Sequence, residues 1–178
     1  MDLACPPHTL LLPIDPGFWA PPAKAVCVDG VAFAPKPELH VTLIGSRLGQ
    51  QLRSTLGPDF LAERIASAVD QDWRIQRTGR YVQLAHPASA AHGGDTDTAP
   101  RQSIIELIEL AAMQRFHRAL GRLLGRQLPV PPPHVTLYTA QDPRGIGLAS
   151  ASQLRDRRVR ELSADALRDV DQHASGPA

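Results

Sequence analysis

Cysteine is nearly missing from this 178-residue chain, which has only Cys5 and Cys27. Two thiols at that spacing form neither a metal-ligating pattern nor a disulfide framework, so free thiols in a reducing compartment are expected. Lysine is equally scarce. Of 19 basic residues only Lys24 and Lys36 are lysines; the rest are arginines, the better bidentate phosphate ligands. Aromatic residues make up 4% of the chain. A surplus of one charge sign is also lacking: the net charge is +1, which excludes a global field drawing the chain to nucleic acid. The apolar stretch Thr9–Ile14 is too short to cross a membrane. It has no preceding basic region and no signal-peptide cleavage site, so the reading is cytoplasmic, with no membrane partner.

The hydrophobic fraction is ordinary at 43%, and the length suffices for one good core or two small lobes sharing one. Within it one tetrapeptide occurs twice. Pro37-Glu38-Leu39 leads into His40-Val41-Thr42-Leu43, and Pro133 leads into His134-Val135-Thr136-Leu137. β-branched and aliphatic residues after proline read as strands. Residues i and i+2 of a strand share a face, so His40 and Thr42 point one way and Val41 and Leu43 the other; the second copy repeats this. An imidazole exchanges protons near neutral pH, since its unperturbed pKa is about 6.5. A hydroxyl two residues along can donate to an oxyanion. Two such segments face to face would surround a tetrahedral phosphate with an acid, a base and two hydroxyl donors. A duplication kept for packing alone would not need histidine at both sites.

Paired His-x-Thr segments half a chain apart, in a protein of this size, resemble the two-histidine (2H) phosphoesterase superfamily, which includes 2′-5′ RNA ligase-like proteins and cyclic nucleotide phosphodiesterases. Both motifs match in full. The resemblance implies catalytic roles for His40 and His134 and phosphate binding by Thr42 and Thr136. It implies an α+β fold of one two-lobed domain, with two antiparallel sheets and flanking helices related by a pseudo-twofold axis, and a groove between the lobes. It also implies chemistry on 2′,3′-cyclic or 2′-5′ phosphodiesters of small nucleotides or RNA ends, with no metal and no cofactor.

The rest of the chain reads as scaffold. Leu10–Ile14 is a short strand in a proline-rich start, and Phe18-Trp19 is a hydrophobic plug or base-stacking wall. Residues 25–28 and 31–34 form a hairpin about Asp29-Gly30. Lys36 could help neutralise a phosphate, and Arg47, on the loop leaving the first motif, is a candidate substrate contact. A helix is expected over 59–70, with Asp59 as cap and Phe60, Leu61, Ile65, Ala68 and Val69 as its apolar stripe. Residues 73–84 form a strand with a bend at Thr78-Gly79, whose Tyr81 and arginines are candidate groove lining. Residues 86–100 are a loop, in which His86, His92, Asp95 and Asp97 fit no specific metal pattern. Residues 101–110 supply the partner strand, and 111–124 a helix capped by Gly125, with His117 on its surface. Pro129–Pro133 is an extended lead-in that fixes where His134 enters the sheet. Tyr138, at i+4 from His134, shares its face if the strand continues and joins Trp19 and Tyr81 as a substrate-binding candidate. The glycines of 143–148 permit close backbone approach. A helix then a strand fits 152–162, and 172–178 is a flexible tail.

The expected partner is a nucleotide or RNA end, with no obligatory protein partner. Two alternatives remain at this point: a nucleotide-binding module on the same fold without catalysis, and a metal hydrolase built on the loop histidines.

Overall fold

The computed structural model describes residues 8–57, 59, 64–86 and 100–167. The elements run β1 (Leu10–Pro13), β2 (Val26–Val28), β3 (Val31–Pro35), β4 (His40–Ile44), α1 (Ser46–Leu56), α2 (Ala66–Val69), β5 (Gln76–His86), β6 (Arg101–Glu109), α3 (Ala111–Leu123), β7 (His134–Ala140), α4 (Ala151–Arg157) and β8 (Arg158–Leu162). A 3₁₀ turn, Ala164–Leu167, follows. The fold is mixed α and β, built on an antiparallel sheet of eight strands.

The strands link into one sheet in the order β1-β4-β7-β6-β5-β8, with β3 also on β7 and β2 on β3. Where two separate sheets were expected, β4 and β7 join the halves through a single ladder pair, Val41 with Val135. The β2–β3 hairpin turns at Asp29 and Gly30, both with positive φ (51° and 75°), as a two-residue turn matching strand twist requires. In β5 the register shifts between Arg77 and Arg80, so Thr78 and Gly79 form the expected bulge.

A second bulge lies in β7. Thr136 pairs with Ile105 but Tyr138 pairs with Ile104, leaving Leu137 as the extra residue. Side chains beyond it therefore change face. One face of the sheet carries the larger core. There Val41, Leu43, Ile104, Val135 and Tyr138 join Leu52 of α1 and Met113, Phe116 and Leu120 of α3. The other carries a smaller cluster, in which Val82, Leu84 and Ile105 meet Ile146 and Leu148.

Further expectations are corrected. The helix expected over 59–70 is, among the described residues, the single turn of α2; Phe60 and Leu61 lie outside them. The longer helix, α1, begins directly after Gly45, and the sequence concealed it because no side chain caps its start and Gly49 interrupts it. A Cβ at Gly49 would lie 2.1 Å from the His8 carbonyl oxygen, so close packing explains that glycine. His117 is not on the surface. It is 2% exposed, and its Nε2 lies 3.0 Å from the Leu43 carbonyl, tying α3 to β4. Of the loop residues weighed for metal, His92, Asp95 and Asp97 lie outside the described residues, as does the tail.

Candidate functional site

The Val41–Val135 pair sets the site. Antiparallel register places His40 across from Thr136, and Thr42 across from His134. Directly opposed residues share a face, so all four side chains stand on one face as two crossed His–Thr pairs. The local twofold of the antiparallel pair exchanges the two motifs. The histidines occupy diagonal positions, for which Cα separations are roughly 7–8 Å, within reach of a common small ligand. They stand side by side on paired strands, and the Val41, Leu43, Val135 and Leu137 side chains fill the core behind them.

The two rings differ. His134 is 8% exposed, and its Nδ1 lies 2.8 Å from the Pro132 carbonyl. A carbonyl only accepts, so Nδ1 carries the hydrogen and Nε2 of the neutral ring is the basic atom. The proline lead-in thus fixes this histidine's tautomer as well as its position. Burial pushes the His134 pKa down; the Pro132 bond partly restores it, and the charge of His40 lowers it further. His40 is half-buried. Its pKa is also lowered, first by burial and then by Lys36, with Glu38 opposing. Both imidazoles therefore favour the neutral form at neutral pH.

Lys36 forms one wall. Its backbone N–H donates to the Leu137 carbonyl and its Nζ to the Pro143 carbonyl, both at 2.8 Å. That second bond pins the 142–148 loop over the site. Gly145 of this loop has a φ of +76°, and a Cβ there would meet Thr136 Cγ2 at 3.3 Å, Ser103 Oγ at 3.5 Å and Thr139 Cγ2 at 3.5 Å. The expected close backbone approach is thus made, onto the phosphate-binding threonine candidate itself. Asp142 anchors the same loop, accepting from Arg144 Nη2 at 2.8 Å and Arg101 Nη1 at 3.1 Å. The Arg144 bonds, foremost, hold its carboxyl well below the usual carboxylate range. Thr139 and Ser103 were missed from sequence, because only the β7 bulge turns Thr139 to this face.

The other candidates lie elsewhere. Arg47 is in the exposed first turn of α1, past the far end of β4 from His40, and not on a loop. Tyr138 does not share the His134 face: the bulge turns it into the larger core beside Ile104. It meets Trp19 and Tyr81 around one pocket on that reverse side. The three aromatic candidates are brought together, but away from the paired histidines. Among the described residues no cluster of metal-ligating side chains forms, and no helix is long and apolar enough to cross a membrane. No family model matches the chain, and comparison with curated proteins and with solved structures finds no similar protein.

Proposed function

We propose that this chain is a metal-independent phosphodiesterase of the 2H type, cleaving 2′,3′-cyclic or 2′-5′ phosphodiesters of small nucleotides or RNA ends. The observation that carries this reading is the Val41–Val135 pair, which gathers two histidines and two threonines on one sheet face. Two imidazoles supply both proton transfers that the reaction needs, and two hydroxyls supply donors for the phosphate oxygens.

The rings divide the work by environment. His134, with Nδ1–H fixed on Pro132 and its charged form disfavoured by burial, is the general base. Its Nε2 takes a proton from water as the water oxygen bonds to phosphorus. His40, less deeply buried and next to Glu38, is the general acid. It gives its proton to the ribose oxygen as the phosphorus–oxygen bond breaks, so the protons balance over the step. Thr42 and Thr136 donate to the non-bridging oxygens, and Lys36 offsets their charge. Each half of the sheet contributes one motif, and the finer architecture belongs to this reading: two lobes about the local twofold, with the substrate groove along their seam.

The test is hydrolysis of 2′,3′-cyclic nucleotides in excess chelator by the wild type and by the His40→Ala/His134→Ala variant. Turnover in the wild type, lower by a factor of at least about 10² in the variant, is expected. Equal rates in the two would sink the proposal. Tight nucleotide binding with no turnover on cyclic or 2′-5′ substrates would leave a binding module in its place.

A further inference from the structure

The pocket on the reverse face of the sheet has no part in the proposed reaction, and its lining is distinctive. Its volume is about 440 Å³, in the lower part of the range for small-molecule sites. Its lining gathers aromatics in a chain with few of them, though Trp19 and Tyr138 are nearly buried. Phe18, Trp19, Tyr81 and Tyr138 all line it, half of the phenylalanine, tryptophan and tyrosine residues present. Trp19 is 5% exposed and held in place, with the Arg77 guanidinium 4.1 Å from its ring centroid.

Arg77 is fixed in turn. Its Nε and Nη2 donate to the Glu106 carboxylate at 3.2 and 2.7 Å, and Glu106 is fully buried. The planar cation is therefore pre-organised, but its charge is already balanced by a carboxylate in contact. Phe18 stands at the mouth, 61% exposed, the one exposed phenyl ring among the described residues. An exposed ring beside a cavity edged by a fixed guanidinium offers a face on which a planar group can stack.

We propose that this pocket binds the base of a nucleoside, stacked on Phe18 and edged by the hydrogen-bonding groups of Arg77 and Tyr81. The balanced charge selects the class. A planar heterocycle with ring acceptors uses the Phe18 ring and the guanidinium edge, whereas among the described lining residues a phosphate would find no net positive charge to meet it. The site is separate from the paired histidines, since Tyr81 and Tyr138 lie on the opposite side of the sheet from Thr136. The proposal therefore does not depend on the phosphodiesterase reading.

Equilibrium dialysis of the full chain against guanosine, adenosine, uridine and cytidine in turn tests it. At least one should bind with a dissociation constant below about 1 mM. Affinity should survive in the His40→Ala/His134→Ala variant and fall about tenfold or more in Phe18→Ala, whose exposed ring adds little to the fold. Ala164→Trp, at an exposed position on the pocket wall, should block binding by filling the space and serves if Phe18→Ala misfolds. No binding by any of the four, binding lost in the double histidine variant, or binding indifferent to the pocket variants would overturn the proposal. Hydrolysis of cyclic nucleotides is unaffected by any of these results, so the two readings fail separately.

Discussion

Thr42 and Thr136 differ from valine only by a hydroxyl in place of a methyl, and both sit half-buried in strands where valine is at home. Thr42→Val or Thr136→Val should therefore leave the fold intact and lower kcat by a factor of about 10² to 10³, the usual loss for one oxyanion donor. Steady-state kinetics beside a thermal melt separates the two effects. The imidazoles set the pH dependence. Both pKa values lie below 6.5, so the singly protonated pair that the reaction needs is populated on the acid side of neutrality. The kcat/KM profile should be a bell whose alkaline limb is already falling at pH 7. The kcat bell should sit at higher pH, because a bound phosphodiester anion favours the charged imidazoles. Coincident bells centred above pH 7 would contradict this. These four side chains were legible from a repeated tetrapeptide and the period of a strand. Tyr138 was misplaced by the same rule: one inserted residue in β7 reverses the alternation, and pairing partners rather than local pattern decide where that insertion falls.

At the level of elements, the 142–148 loop couples the two motifs. Lys36, just upstream of β4, holds Pro143, and Gly145 rests on Thr136 of β7. Gly145→Ala forces a left-handed conformation and presses a methyl on Thr136, so it should cost about 1–2 kcal/mol in denaturant unfolding. Gly147→Ala is the control: a Cβ there meets nothing within 4 Å, and it should be nearly neutral. Equal costs would show that the loop does not bear on the sheet as described. Hairpins, the β5 bulge, β6 and α3 were readable because turn glycines and apolar spacing announce them. The start of α1 was not, since glycines occupy its cap and its buried face. The Arg77–Glu106 pair was not either, because a charged residue inside the apolar run of β6 shows its partner only after β5 is laid alongside.

For the molecule as a whole, three histidines, His40, His117 and His134, are held with lowered pKa, burial being the first cause for each. The unfolded chain then binds protons more readily than the folded one below the ordinary value of about 6.5. Stability from these groups is fully present above that pH and declines as pH falls through it toward the folded values. Melting temperature should be flat from pH 7 to 8 and should drop from pH 6.5 downward, with the drop reduced in His117→Phe. A melting temperature that rises on acidification through this range would refute the assignment.

The seam between β4 and β7 has a consequence for biogenesis. Val41 and Val135 are more than half the chain apart, and their pairing, beside that of β3 on β7, brings the histidines together. Neighbouring strands such as β5 and β6, and the helix that follows them, form from closer sequence and can assemble first. A chain emerging during synthesis can hold much of its secondary structure while possessing only half a site. On the proposed reading its chemistry becomes available only at final closure, so turnover would itself gauge completed assembly.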